Sequence, residues 1–183
     1  MKREEALALL HEYTESESLR KHAYAVEAAM RTYAEKYGED QELWGSVGLI
    51  HDFDYEKYPD HHPQRGSEIL AKNGVPENIR IVILSHASFT GVSRDSLMAK
   101  VLYAVDELCG FVTAVTLVRP NRSVSEVTPK SVKKKMKDKR FAAKVNREEI
   151  HEGAQELGVD FDDHIRTVVK AMSSIAPELG LNP

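Results

Sequence analysis

The chain of 183 residues contains a single cysteine, Cys109, so no disulfide can form within it. We therefore expect a protein of a reducing compartment, the cytoplasm. A long uninterrupted apolar run is also missing. The most apolar stretch, 101–118, is broken by Asp106 and Glu107, which argues against a membrane span. The N-terminal residues MKREEALALLHEYTE are charged throughout and lack the apolar segment of a secretory signal.

Alternating runs of β-branched residues, internal repeats and low-complexity linkers are absent from the sequence. Instead, apolar residues recur at helical spacing along almost the whole chain. Ser16 or Ser18, Asp40 and Asn146 are suited to begin helices, whereas Gly38 and Gly158 are suited to end them. The sequence therefore predicts an all-α, single-domain helical bundle.

Charge is distributed unevenly along the chain, whose net charge is −4. Between Arg119 and Arg140, nine basic side chains stand against two acidic ones, so this segment carries +7 and the remainder −11. The run KSVKKKMKDKRFAAKV after Thr128-Pro129 predicts a basic helix. Its lysines form either a solvated face or a strip that attracts an anionic substrate. Because the strip lacks interleaved aromatic residues and the protein is acidic, we predict no nucleic-acid groove.

Several histidines and aspartates interrupt apolar, helix-periodic stretches, and others stand in the loop DHHPQ. The set is His22, His51-Asp52, His62 with His61 beside it, His86 and Asp106. Burying a polar group without a partner costs about 2–7 kcal/mol, whereas a metal ion takes imidazole and carboxylate groups together as ligands. Each residue alone has an ordinary explanation, such as a hydrogen-bonded core histidine. The ordered set favours a metal centre built from several helices.

Adjacent helical residues point about 100° apart, so His51 can bind one ion while Asp52 bridges two. The remaining ligands divide into His22 and Asp106 for the first ion, and His62 and His86 for the second. Two ions roughly 3.5–4 Å apart would activate water and hold a phosphoryl oxygen. Iron, manganese, zinc, nickel and cobalt suit these ligands, and magnesium is a further candidate.

This order resembles the H…HD…D pattern of the HD superfamily of metal-dependent phosphohydrolases. The resemblance is carried by SLRKHAYAVEAAM, VGLIHDFDYEKYP and LYAVDELCGF. HHPQRGSEIL is similar to the His-Pro-x-x-Gly-x-x-x-Leu element of the two-metal branches, and IVILSHASFTG to the histidine element that follows. The resemblance implies an all-helical bundle in which His62 and His86 are ligands and Gly66 packs closely.

The resemblance covers about residues 15–118, which we expect to form the metal-site core of a single HD-like domain over 1–183. The helical extension 119–183 matches nothing in the family pattern and is a candidate for substrate specificity. Many relatives continue the doublet as His-Asp-Ile-Gly-Lys, whereas this chain has HDFDYEK. Lys57 is the nearest replacement for the family lysine. SHASFTGVSR lacks the Gly-Tyr-Pro motif of the cyclic-dinucleotide branch, which disfavours that substrate.

We therefore predict a phosphomonoesterase or phosphodiesterase that hydrolyses a nucleotide or another small phosphate ester with metal-activated water. Asp52 is the expected catalytic residue, with Lys57 as an auxiliary, and no general acid is assigned. The candidates for binding substrate phosphate are Arg65, Arg119, Lys133 and Lys134. A di-iron oxygenase and a catalytically degenerate nucleotide-binding or interaction domain are the alternatives, and a homo-oligomer is compatible with the apolar C-terminal helices.

Residues outside the ligand set have simpler interpretations. The glutamates Glu27 and Glu107 are interpreted as solvated helix-surface groups. Three further histidines in polar surroundings are interpreted as surface residues: His11, His151 and His164. Four aromatic residues are assigned to the core or its edge: Trp44, Tyr24, Tyr33 and Tyr37.

Overall fold

A computed structural model describes all residues, 1–183, and contains helices but no strand. The predicted all-α fold is confirmed. The ten α-helices are α1 (Arg3–Tyr13), α2 (Glu17–Tyr37), α3 (Gln41–Ile50), α4 (Gln64–Lys72), α5 (Glu77–Ser85), α6 (Leu97–Leu117), α7 (Pro129–Met136), α8 (Arg147–Leu157), α9 (Phe161–Ser174) and α10 (Ala176–Leu179). Two 3₁₀ turns are Ser88–Thr90 and Val124–Glu126. None of the helices combines the length and apolar character needed to cross a membrane.

The helix boundaries follow local capping chemistry. The Ser16 hydroxyl accepts the backbone N–H of Leu19 at the start of α2, and the Asp40 carboxylate accepts two N–H groups at the start of α3. The Asn146 side chain likewise accepts two N–H groups at the start of α8. Gly38 and Gly158 end α2 and α8 with φ of 71°, a left-handed conformation that glycine adopts without strain. These positions are the ones the sequence indicates.

Helices α2 and α6 lie at the centre of the bundle. Helix α3 packs along α2, α8 packs along α6, and α9 contacts both central helices. The α2–α3 contact depends on Gly48, where an added Cβ would lie 2.9 Å from Met30 and 3.0 Å from the carbonyl oxygen of Val26. This close approach brings the C-terminal end of α3 beside α2.

Two helices are shorter than predicted. Helix α3 ends at Ile50, so His51 and Asp52 lie in the turns that follow it rather than on the helix face. The basic helix α7 ends at Met136, and residues 137–145 form a series of turns instead of continuing it to Val145. The carbonyl groups of these turns are bound by the side chain of Arg147, which replaces the hydrogen bonds of a longer helix.

Two residues interpreted as surface groups are buried. His164 is fully buried in α9, where its Nε2–H donates to the carbonyl oxygen of Ala104 and its Nδ1 accepts the hydroxyl proton of Tyr33. Glu27 is buried in α2, and its carboxylate binds the guanidinium groups of Arg3 and Arg31. The surface interpretation of His164 and Glu27 is therefore wrong. The four aromatic residues assigned to the core or its edge are buried or partly buried.

Candidate metal centre

The six side chains of the predicted ligand set converge from different helical segments. Their possible ligand atoms form two groups, and within each group all atoms lie within 4.8 Å of one another. The first group comprises His22 of α2, His51 and Asp52 after α3, and Asp106 of α6. The second comprises Asp52, His62 before α4, and His86 after α5. Asp52 alone belongs to both groups.

The first group is centred on the carboxylate of Asp106. Its Oδ1 atom lies 2.9 Å from Nε2 of His22 and 3.4 Å from Nε2 of His51. The two imidazole rings meet edge to face, with their centroids 5.3 Å apart. These contacts join α2, α3 and α6 at one point, so the site depends on the packing of the two central helices.

The carboxylate of Asp52 faces the two groups with different oxygen atoms. Its Oδ2 lies 3.5 Å from Nε2 of His51, whereas its Oδ1 lies 3.2 Å from Nε2 of His62 and 3.0 Å from Nε2 of His86. Each oxygen of the Asp52 carboxylate therefore faces a different group of histidines.

Three of the histidines have their tautomers fixed by hydrogen bonds from Nδ1–H. His51 donates to the carbonyl oxygen of Gly48 at 2.7 Å, and His86 donates to that of Ile83. Both carbonyls lie in the last turn of a helix, where carbonyl groups lack an N–H partner four residues further along the helix. His62 donates to Oδ1 of Asp54 at 2.8 Å. The Nε2 atoms are therefore directed into the site, as in metal-binding histidines.

A cation fits the space between these atoms. Nε2 of His51 is completely buried and has no hydrogen-bond partner, and the carboxylates of Asp52 and Asp106 face it. Ligand atoms that share an ion at 2.0–2.2 Å lie about 3.0–3.5 Å from one another. The nitrogen–oxygen distances in both groups, 2.9–3.5 Å, agree with this spacing.

The pKa values of the site show that its carboxylates favour positive charge. Burial lowers the pKa of His51, but the carboxylates of Asp52 and Asp106 outweigh it and hold that pKa well above its ordinary value. Burial also lowers the pKa of His62, while hydrogen bonds to Asp52 and Asp54 raise it to about 9. Burial raises the pKa of Asp106, and His51 lowers it to well below its ordinary value. The site as a whole stabilises cations.

Comparison with protein-family models matches residues 19–110 to the HD domain, which is just over half of the chain. The chain belongs to the HD domain family. Proteins of this family are generally metal-dependent phosphohydrolases, in agreement with the histidine and aspartate groups that could hold a divalent metal here. No curated protein and no solved structure matches the chain significantly. The matched segment contains all six converging residues, whereas α7–α10 lie outside it.

Asp54 is a buried residue of this HD domain that the ligand pattern did not assign. Its Oδ1 accepts the Nδ1–H of His62, and its Oδ2 accepts the backbone N–H of Gly66 at 2.7 Å. A Cβ on Gly66 would lie 2.7 Å from Oδ1 and Cγ of Asp54, so the glycine permits this contact. In the sequence, Asp54 stands out only as a departure, because it occupies the glycine position of the His-Asp-Ile-Gly-Lys pattern that HDFDYEK resembles.

The HD site opens into a cleft of about 440 Å³. Residues that line it besides the metal groups include Tyr55, Phe89, Glu107, Lys144, Asn146 and Glu149. Burial and the adjacent charge of Asp106 raise the pKa of Glu107 to about 7, so the solvated interpretation of this residue is wrong. Glu107 accepts the backbone N–H of Asn146 at 3.0 Å. The lining residues beyond the matched HD segment include Lys144, Asn146 and Glu149.

The structure does not bring the expected phosphate-binding residues to the cleft. Lys57 donates to the carbonyl oxygen of Glu12 at 2.6 Å and lies over the ring of Tyr13. The other four lie away from the cleft, where Arg65 pairs with Glu68, Arg119 pairs with Glu126, Lys133 pairs with Asp162, and Lys134 is exposed on α7. Lys144, which the sequence analysis did not select, is the one Lys or Arg that lines the cleft.

Proposed function

We propose that this HD domain is a metal-dependent phosphohydrolase that acts on a small phosphate ester, such as a nucleotide. The observation that carries the proposal is the position of Asp52, whose two carboxylate oxygens face two separate groups of histidines. That pattern suits a pair of ions, and the open cleft above it admits a small substrate. Its volume lies within the range of about 300–1,000 Å³ that is usual for small-molecule sites.

The proposed ligands of the first ion are His22, His51, Asp52 and Asp106, and those of the second are Asp52, His62 and His86. Divalent ions held there would lower the pKa of a water molecule and offset the negative charge that develops on a phosphoryl group. The protein contributes the fixed ligand positions, because hydrogen bonds to Gly48, Asp54 and Ile83 hold three imidazole rings in place before an ion binds.

The proposal is tested by release of phosphate from a panel of esters. Protein loaded in turn with manganese, cobalt, iron, nickel, zinc or magnesium is given nucleoside 5′-monophosphates, 4-nitrophenyl phosphate and bis(4-nitrophenyl) phosphate. Turnover of the monoesters alone indicates a phosphomonoesterase, and turnover of the diester indicates a phosphodiesterase. We expect Asp52→Ala to lower the rate by at least about a hundredfold. Lys57→Ala is the control, because its side chain lies outside the cleft.

Three outcomes would contradict the proposal. Equal phosphate release by Asp52→Ala would mean that a different site, or a contaminant, is active. Substrate-dependent oxygen uptake by the iron-loaded protein without phosphate release would identify the oxygenase that uses the same ligand types. Nucleotide binding without any turnover would identify a non-enzymatic binding domain.

A further inference from the structure

The segment 137–146, called here the cleft loop, is organised around one guanidinium group. Arg147 donates to five backbone carbonyl groups, those of Met136, Asp138, Phe141, Ala142 and Val145. Arginine carries five N–H donors in a rigid fork, so one side chain can satisfy a turn that makes few hydrogen bonds of its own. The path of the cleft loop is thus set by the first residue of α8.

The conformation of the cleft loop is fixed in two further ways. Ala142 has φ of 44°, in the left-handed region that residues with a side chain adopt only when their surroundings enforce it. The ring of Phe141 packs edge to face on Phe111 of α6, with centroids 5.6 Å apart, and Phe111 is fully buried. A loop with this many constraints presents its side chains in a preset arrangement.

The end of the cleft loop forms one wall of the metal cleft. Lys144, Val145 and Asn146 line the cleft, and the backbone N–H of Asn146 binds the carboxylate of Glu107. Glu107 directly follows Asp106, a residue of the first metal group. The loop is therefore tied to the same turn of α6 that supplies the metal centre.

The side chains around the cleft make Lys144 the one fixed positive charge available to an anionic substrate. Arg and Lys are otherwise absent from the lining, whereas one carboxylate outside the metal groups, that of Glu149, contributes negative charge. A substrate that carries several phosphates would meet this carboxylate without enough compensating charge. A single phosphoryl group next to the metal centre needs only one further cation.

We propose that the cleft loop is the substrate-anchoring wall of this site, in which Lys144 binds a phosphoryl oxygen of a monophosphate ester. Arg147 acts as a positioning residue that holds Lys144 at the cleft without touching the substrate. This inference rests on the proposed phosphohydrolase function and adds a substrate class, monoesters with one phosphoryl group rather than polyphosphates.

The experiment measures the binding of inorganic phosphate to the metal-loaded protein by calorimetry, which does not require turnover. We expect Lys144→Ala to raise the Kd for phosphate about five- to tenfold, the loss of one charge-assisted contact, and Lys144→Arg to restore most of the affinity. Lys139→Ala is the matched control, because it removes the same charge from an exposed position of the same loop. Bound metal per chain is measured for every variant and should be unchanged.

A second set of variants tests the positioning role. Arg147→Lys keeps the charge but cannot bind five carbonyl groups, so we expect a Kd for phosphate close to that of Lys144→Ala. The double variant should bind phosphate no more weakly than either single variant, because both act through the same lysine. A purely stabilising role of Arg147 would lower the Tm and leave the Kd of the folded protein unchanged.

The outcomes separate this inference from the proposed function. Wild-type phosphate release with an unchanged Kd and KM in Lys144→Ala would overturn the role of Lys144 and leave the phosphohydrolase intact. Phosphate binding that depends on Lys144 in a protein without turnover would support the anchoring wall and reject the enzyme. Faster turnover of nucleoside triphosphates than of monophosphates would overturn the substrate class.

Discussion

His62 and Asp54 form a buried hydrogen-bonded pair beneath the metal centre, with Nδ1 of the histidine 2.8 Å from Oδ1 of the aspartate. The second oxygen of Asp54 is occupied by the backbone N–H of Gly66. Both oxygens of the carboxylate therefore accept hydrogen bonds. The bond from Gly66 fixes the carboxylate, and the bond from His62 directs Nε2 of His62 toward Asp52. This pair explains how a loop residue acquires the orientation of a metal ligand.

We predict that Asp54→Asn weakens metal binding at the second group. An amide has one acceptor oxygen, so its NH₂ group must face a donor, either the N–H of Gly66 or the Nδ1–H of His62. The loss of such a partner typically lowers metal affinity by about 10–100-fold. Chelator competition on the purified variant measures the two dissociation constants, and only the weaker-bound ion should be affected.

Two variants test this explanation. Gly66→Ala should reproduce the defect, because its Cβ would lie 2.7 Å from the carboxylate of Asp54. Asp60→Asn removes the same charge from an exposed position nearby and should bind both ions normally. Wild-type affinities in Asp54→Asn would show that His62 needs no fixed partner.

The shared position of Asp52 predicts a graded loss of metal. His86→Ala removes a ligand of the second group only, and His22→Ala removes one of the first group only. We expect each to retain about one ion per chain, whereas Asp52→Ala should retain about none, because it takes a ligand from both groups. Elemental analysis of anaerobically purified protein provides the measurement. Equal metal content in His86→Ala and wild type would reduce the centre to the first group.

The convergence of the six candidate ligands could be predicted because these residues interrupt an otherwise regular pattern. His22, His86 and Asp106 stand on apolar helical stripes, where a polar side chain needs a partner. The order of the residues then resembles a known family. Helix starts could be predicted for a similar reason, since a capping side chain binds N–H groups two or three residues away.

Features that depend on the path of the chain in space could not be predicted in this way. The end of α7 at Met136 is set by Arg147, which lies eleven residues further along the chain. Lys144 comes to the cleft, and Lys133 and Lys134 do not, because the turns after α7 change the direction of the chain. Local charge gives no information on which lysine of a basic run reaches a site that other helices build.

His164 was predictable, but its polar neighbours concealed the signal. It stands four residues before Val168 and next to Ile165, and both are fully buried. Its position at helical spacing from these residues places it on the apolar face of α9. The spacing therefore indicates a core residue, whereas the adjacent Asp162 and Asp163 indicate a surface one.

The buried His164 predicts a loss of stability in mild acid. Burial lowers its pKa to about 4, while an unfolded histidine has a pKa of about 6.5. As the pH falls below 6.5, the unfolded chain takes up a proton that the folded protein does not, so the free energy of unfolding decreases until the pH reaches about 4. The stabilising contribution of neutral His164 is fully present above pH 6.5. Its loss lowers the free energy of unfolding by about 3 kcal/mol.

The variant His164→Gln isolates this effect, because glutamine does not titrate. Urea unfolding in the presence of chelator gives the free energy of unfolding at several pH values, without a contribution from bound metal. The advantage of wild type over His164→Gln should shrink as the pH is lowered from 6.5 to 4. His61→Gln, which removes an exposed histidine, should follow the wild-type curve. A constant difference between wild type and His164→Gln would contradict the buried neutral state.

Gly153 sets the distance between α8 and α6, and hence the position of the cleft loop. A Cβ at this position would lie 2.6 Å from Cα of Ala104, a backbone atom that cannot move aside. Gly153→Ala should therefore push α8 outward and lower the free energy of unfolding by about 1–3 kcal/mol, despite the higher helix propensity of alanine. Because Arg147 begins α8, the displacement should also raise the Kd for phosphate. Gly110→Ala is the control for stability alone, because Gly110 lines the cleft. Apart from the backbone of α6 itself, no atom lies within 4 Å of its added Cβ, so this variant should keep or increase the Tm. Equal Tm values for the two alanine variants would show that α8 does not sit directly on α6.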